Sequence, residues 1–259
     1  QELDDPDDPF ASTPQLLSLK VLLLFALAYN YKIIIGDVQT AFLHAELPKD
    51  DKPIYVRPPK EYYGGLSKLW KLRRPLYGLR TAPKHWQDHF ADVLERLGAR
   101  RLKSEANVYF FKNTLHYVLV YVDDVMIIGT NPQTIFDSIA KELLLIFITN
   151  FDSGVETKFL GRVLQHKGDY IVIAMSDEYI DTMLDDFGLK DCKGAITPGT
   201  SGRKTTDGVS LLNSQGATNY RKGVGKLMWI TPIRPDIYFA VKELSRALRE
   251  PTEDDLARL

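Results

Sequence analysis

The sequence has 259 residues, with 33 Lys and Arg against 34 Asp and Glu for a formal net charge of −1, and is 44% apolar and 26% charged. This is ordinary for a soluble globular chain long enough for one large domain or two small ones. A lone cysteine, Cys192, excludes a disulfide scaffold, and the neutral balance carries no global sign of a nucleic-acid binder.

An acidic leader occupies 1–12 (Glu2, Asp4, Asp5, Asp7, Asp8), and Gln1 stands where an initiator Met is expected, as in a piece cut from a longer polypeptide. Thr13-Pro14 reads as an N-cap with Pro at the first helical position, opening a buried helix to about Ala28. That apolar run is broken by Ser18 and Lys20 and falls short of the ~20 residues of a membrane span; no basic region precedes it to make a signal peptide. A buried strand over 31–37 ends in Asp37. A short helix over 40–47 follows, then short strands over 53–59 and 68–74 around a Gly64-Gly65 turn. Residues 82–97 form an amphipathic helix with Trp86, Phe90, Val93, Leu94 and Leu97 on one stripe. Strands are expected over 108–112, 115–122 and 125–129, and a helix over 132–147. A hairpin follows, 157–166 with 170–174, turning at Lys167-Gly168-Asp169, and then a helix over 176–187. Residues 194–217 read as a flexible loop, and helices over about 218–230 and 235–249 close the chain. The order predicts an α+β domain over 13–193 followed by a small helical region over 218–259.

The sharpest local feature is Tyr121-Val122-Asp123-Asp124 between two apolar strands. On these strand limits Asp123 and Asp124 are the whole loop. Two-residue hairpin loops favour Asn-Gly, Asp-Gly or Gly-Gly because their central residues take positive φ. Adjacent carboxylates also repel, and a divalent cation is a natural counter-charge; a solvated turn is the plainer alternative. Asp37, at the tip of Ile33-Ile34-Ile35-Gly36, either caps the helix that follows or acts as a ligand. If its strand lies beside the hairpin, three carboxylates converge at one sheet edge. Such a set can hold two Mg²⁺ about 3.5–4 Å apart for in-line phosphoryl transfer.

Local charge departs from the global balance. Between Lys68 and Lys103 ten Lys and Arg face three acids, a run suited to phosphate contacts or to a solvated helix face. Near the C-terminus Arg221, Gly225 and Trp229 recur every four residues and share a helix face; Trp229 also reads as the core of a small helical domain.

Three blocks stand in the order and spacing of reverse transcriptases of copia-type LTR retrotransposons. They are Asp37-Val38-Gln39-Thr40-Ala41-Phe42-Leu43, Leu76-Tyr77-Gly78-Leu79-Arg80-Thr81-Ala82-Pro83-Lys84-His85-Trp86, and Tyr121-Val122-Asp123-Asp124. Phe159-Leu160-Gly161 and Arg234-Pro235-Asp236-Ile237 match the same family downstream. The chain resembles that family from about Pro14 to its end.

The resemblance implies a polymerase palm, an antiparallel sheet with packed helices and partial fingers, over 13–193, and a small helical thumb over 218–259. Most of the fingers and the RNase H region are expected outside this fragment. It implies an RNA-directed DNA polymerase that adds dNTPs to a primer 3′-hydroxyl on an RNA or DNA template, within a Pol polyprotein that also carries RNase H and integrase segments. Asp37 and Asp123 match the metal-binding acids, with Asp124 their less directly ligated neighbour; the implied cofactor is Mg²⁺, two ions, with Mn²⁺ as a substitute. Phe42 matches the aromatic beneath the incoming sugar, although read alone it is a core Phe on a short helix. Tyr77, Gly78, Arg80 and Tyr121 fall in the nucleotide pocket and Lys84 on the nucleic acid. Gly161 falls in the hairpin 157–174, which resembles a primer grip. Arg221, Gly225 and Trp229 are similar to the thumb helix that follows the minor groove by shape. The rival expectation is a catalytically inactive remnant of a truncated element that at most binds nucleic acid. With no signal or span, an intracellular location is expected, in a cytoplasmic particle or the nucleus, and no membrane partner.

Overall fold

The computed structural model describes residues 11–48, 52–62, 68–194, 196–199 and 210–259. Residues 1–10 of the acidic leader, the Gly64-Gly65 turn and much of the 194–217 loop lie outside them. The chain divides into two compact units, 1–160 with 165–171, and 161–164 with 172–259.

In the first unit α1 spans Leu16–Tyr29. It does not start on a Thr13 cap. Its N-cap is Gln15, which makes no side-chain cap bond. The distant Glu105 carboxylate instead accepts the Gln15 N–H at 3.1 Å and the Ser18 hydroxyl at 2.7 Å. Burial pushes the Glu105 carboxyl up, but these bonds and those from Asn107 hold it below its ordinary value. The helix ends at Asn30, whose left-handed φ of 52° is a common helix stop. Only one stripe of α1 is buried, through Leu19, Leu22, Leu23 and Ala26. Leu17, Val21 and Leu24 are exposed and Phe25 is only partly covered, so the expectation of a buried helix is corrected to a helix buried along one stripe.

β1 (Lys32–Val38) follows, then a one-turn 3-10 helix, Ala41–His44, where a longer helix was expected. β2 (Tyr55–Val56) and β3 (Trp70–Lys71) form a short antiparallel ribbon. α2 (Ala82–Arg96) leads into β4 (Arg100–Arg101), β5 (Val108–Phe111), β6 (His116–Tyr121) and β7 (Asp124–Gly129). α3 stops at Glu142 (Pro132–Glu142), and β8 (Leu145–Asn150) replaces the end of the expected 132–147 helix. Ile146, Ile148 and Thr149 are β-branched and suit a strand, and the free edge of β1 supplies the partner.

The main sheet is antiparallel throughout, in the order β4-β5-β6-β7-β1-β8. Alternation divides its residues between two faces. Ile34, Val38, Val118, Val120, Val125 and Ile127 join Trp86, Phe90, Leu94, Ile135, Phe136 and Ile139 in the core under α2 and α3. Asp37, Tyr121 and Asp124 belong to the opposite face, where Phe25 of α1 meets Tyr117 edge-on at 5.9 Å. Gly36 makes the close approach of β1 to β8 possible. A Cβ there would lie 2.9 Å from the Ile146 carbonyl oxygen.

The expected hairpin 157–174 is three strands, β9 (Glu156–Phe159), β10 (Arg162–His166) and β11 (Ile171–Ala174), in the order β11-β10-β9. The long first strand breaks at Leu160 and Gly161, with φ of 52° and 64°. Positive φ at both residues is the signature of a I′ turn. The second unit continues with α4 (Asp177–Asp186), α5 (Ser214–Ile230), a 3-10 turn at Pro235–Ile237, α6 (Tyr238–Ser245) and α7 (Glu253–Ala257). Tyr220, Val224, Leu244 and Ala247 form its small core, and the Tyr220 hydroxyl donates to the Leu244 carbonyl at 2.7 Å.

Two glycines should respond oppositely to alanine. Gly36→Ala is expected to lower the unfolding free energy by about 1–3 kcal/mol through overpacking. Gly225→Ala, in the interior of α5 with nothing within 4 Å, should be neutral or stabilising by up to about 1 kcal/mol. Urea titration of both variants checks the pair.

Candidate active site

The hairpin joining β6 and β7 pairs Tyr121 with Asp124, so its two loop residues are Val122 and Asp123. This shifts the expected Asp123–Asp124 loop by one position, and Asp124 becomes the first residue of β7. Val122 takes a φ of 55° and is the loop's one positive-φ residue. Positive φ at the first loop position alone is the pattern of a II′ turn, which favours Gly there. A β-branched residue in that state costs about 1–3 kcal/mol.

Two hydrogen bonds hold the strained turn. The Trp86 indole N–H donates to the Val122 carbonyl at 2.6 Å, and the Val38 N–H donates to the Asp123 carbonyl at 2.8 Å. Trp86 is only 2% exposed and stacks on Phe90 at 5.2 Å, so the donor is fixed. From the sequence Trp86 reads only as one member of an apolar stripe. A buried indole needing an acceptor was the only available signal.

β1 brings the third acid. Asp37 lies directly opposite Asp124 in the β1–β7 register, and like charges so placed destabilise a sheet. Burial raises the Asp124 carboxyl to about 6, with Asp123 and then Asp37 adding to the rise. Asp37 is also raised, by burial and then by Asp123. Among the described residues no ion pair reaches any of the three. Nor do three ligating side chains there already stand in a metal cage. Such a donor set fits a hard cation that takes one or two carboxylates and completes its shell with water and phosphate oxygens.

Phe42, in the 3-10 turn after β1, is 8% exposed, and Tyr77 covers it at 4.5 Å between ring centroids. The structure therefore joins two of the expected pocket residues into one aromatic step, with Phe42 in the core and Tyr77 exposed. Gly78, beside Tyr77, has a φ of 100°, and Arg80 is exposed. Tyr121 is half-buried, and Lys84 pairs with Asp88 at 3.5 Å.

The remaining expected residues lie in the second unit. Arg221, Gly225 and Trp229 line an exposed stripe of α5. Arg221 donates to the carbonyls of Leu248 and Arg249 at 2.8 and 3.0 Å. A Cβ on Gly161 would lie 3.3 Å from the Trp229 ring. The residue after that glycine, Arg162, is not among the expected site residues. The Arg162 guanidinium stacks on the Trp229 ring at 4.1 Å and donates to the Trp229 carbonyl at 2.6 Å. Arg162 is 3% exposed, and burial pulls its pKa down. It braces a tryptophan that is itself 47% exposed.

The family model described as reverse transcriptase (RNA-dependent DNA polymerase) matches residues 2–201. The chain is 30% identical to the transposon Ty5-1 protein of Saccharomyces cerevisiae, over 83% of this chain and 70% of that protein. It is 28% identical to the retrovirus-related Pol polyprotein from transposon TNT 1-94 of Nicotiana tabacum, covering 96% of this chain and 19% of the polyprotein. The corresponding protein from transposon RE1 of Arabidopsis thaliana is 27% identical, over 98% of this chain and 17% of that protein. The chain thus spans about a fifth of each plant polyprotein.

The raised Asp124 carboxyl means that the folded state favours its neutral form. That contribution is present at low pH and is lost as pH rises through about 6. In metal-free buffer Asp124→Asn should therefore melt above the parent at about pH 7.5, with the gap closing towards about pH 4. Mg²⁺ should raise the parent's melting temperature at the higher pH and not at about pH 4.5. A gap independent of pH in thermal-shift measurements contradicts this electrostatic picture.

Proposed function

The chain belongs to the reverse transcriptase (RNA-dependent DNA polymerase) family, and on that premise we propose that its first unit is the palm of a copia-type retrotransposon polymerase. The reaction is attack of a primer 3′-hydroxyl on the α-phosphate of a dNTP, directed by an RNA or DNA template, with pyrophosphate leaving. The observation that carries the reading is the register that sets Asp37 against Asp124, beside Asp123, with no cation paired to any of them among the described residues.

Asp37 and Asp123 are the residues that hold divalent metal, with Asp124 adding negative charge behind them. Mg²⁺ fits the oxygen-only set, and Mn²⁺ can replace it. When bound, the metal lowers the pKa of the attacking hydroxyl and neutralises charge on the leaving pyrophosphate. Trp86 and Val38 fix the turn, so the carboxylates are aimed before substrate arrives. Phe42 and Tyr77 make the aromatic floor of the sugar pocket, with Gly78, Arg80 and Tyr121 around the nucleotide.

Residues 218–259, within the second unit, are the proposed thumb. Gly225 is open on its helix, which favours close approach of a duplex along the Arg221–Trp229 stripe. Gly161 and Lys84 complete the proposed nucleic-acid contacts. Within a Pol polyprotein, RNase H and integrase segments are the proposed neighbours. The intact acid set speaks against a degraded remnant.

Two substitutions test the reading by primer extension. Asp123→Asn should cost about 10³-fold or more while far-ultraviolet circular dichroism stays unchanged. Trp86→Phe keeps the ring and loses the indole donor, and should cost about five- to tenfold. Extension undiminished in Asp123→Asn contradicts the assignment.

A further inference from the structure

Among the described residues two β-branched side chains sit at left-handed φ, Val122 at 55° and Thr40 at 53°. Both flank the carboxylates, Val122 just before Asp123 and Thr40 three residues after Asp37. Gly, Asn or Asp would take that conformation at less cost. A β-branched residue persists there only where its surroundings fix it. Trp86 and Val38 fix the first of the two. Thr40 is held by other groups.

The Gln39 carbonyl accepts two hydrogen bonds, from the Thr40 hydroxyl at 2.7 Å and from His44 Nε2 at 3.0 Å. A carbonyl can only accept, so Nε2 carries the ring proton. The hydroxyl bond is local and moves with the turn. The His44 bond reaches back five positions and closes the segment 39–44 on itself. Inside that closed segment lie Ala41 and Phe42, and the Leu43 N–H donates to the Thr40 carbonyl at 2.8 Å. The segment is also anchored outward. The Gln39 N–H donates to the Leu144 carbonyl at 3.0 Å, and Arg74 Nη1 donates to the Leu43 carbonyl at 2.7 Å. The half-buried His44 ring lies 6.0 Å from the Trp86 ring between centroids. One tryptophan thus meets both strained turns, by its N–H at Val122 and by its ring at His44.

We infer that His44 is a positioning residue for sugar selection: its bond to the Gln39 carbonyl holds Thr40 left-handed and so fixes Phe42 beneath the nucleotide sugar. On the polymerase reading, on which this rests, Phe42 is the floor of the sugar pocket. Deoxyribose and ribose differ there by one oxygen, so the ring has to be held to within about 0.5 Å. His44 acts through the turn and not on the nucleotide.

The test uses the full chain with a primed template, dTTP and UTP. His44→Phe keeps a ring beside Trp86 and removes the donor. It should raise KM for dTTP and lower the preference for dTTP over UTP about three- to tenfold, the worth of one net hydrogen bond, with kcat at saturating dTTP within about twofold of the parent. His44→Gln offers an N–H again and should recover most of the preference. In a Thr40→Asn background, where the left-handed state is cheap, His44→Phe should cost less than in the parent. Hydrogen exchange across residues 39–45 reads the turn without catalysis. It should quicken in His44→Phe and stay near the parent in His44→Gln, with melting temperatures confirming folding. An unchanged preference in His44→Phe overturns the inference, and faster exchange beside it marks a bond that is structural only. A changed preference with unchanged exchange overturns it too, because the turn is then not what His44 holds. A parent that extends no primer overturns the polymerase reading and sugar selection with it, and the exchange still shows whether His44 holds the turn, so the two failures are told apart.

Discussion

A valine at positive φ is an expensive way to close a two-residue hairpin, and the first unit is arranged around keeping that hairpin closed. The Trp86 indole grips the Val122 carbonyl from α2, and the Val38 amide grips the next carbonyl from β1. Each grip has its own requirement. Trp86 needs the core that buries it against Phe90. Val38 needs β1 drawn in between β7 and β8, which needs Gly36 where the strands crowd. Distortion in either support reaches the turn, and through it the direction of Asp123.

The same arrangement concentrates negative charge. A fold selected only for stability does not set Asp37 across from Asp124 and add Asp123 alongside, because burial and mutual repulsion both disfavour the ionised forms. On the proposed function, that repulsion is what a bound divalent cation offsets. The cleft beside the β2–β3 ribbon shows the converse, with Lys52, Lys71, Arg73 and Arg74 gathered around one carboxylate, Glu46. Net charge near zero conceals both. It averages an acid-rich sheet edge and a base-rich ribbon within one chain.

Much of this was legible in the sequence, for identifiable reasons. Asp37 at the tip of an apolar strand and the Tyr121–Asp124 run between two others gave the three acids and their meeting point. Their convergence follows wherever those strands are neighbours. The hairpin's position was off by one because positive φ at Val122 alone satisfies the turn, and no propensity favours valine there. β8 was hidden in an apolar run that continues the periodicity of α3. What distinguishes it is the free edge of β1, a tertiary fact. The roles of Trp86, Glu105 and Arg162 rest on contacts with residues 36, 90 and 67 positions away, beyond the reach of any local pattern. The break at Leu160-Gly161 was the exception, since a glycine inside a strand is itself a warning of a bend.

The braced hairpin and Asp37 together form the proposed divalent-metal site. A crystal soaked in Mn²⁺ with template–primer and an incoming nucleotide tests it most directly, through the anomalous difference map. The expected map holds a peak within about 2.5 Å of carboxylate oxygens of both Asp37 and Asp123. A map with Mn²⁺ density elsewhere, and with those two carboxylates turned apart, contradicts it.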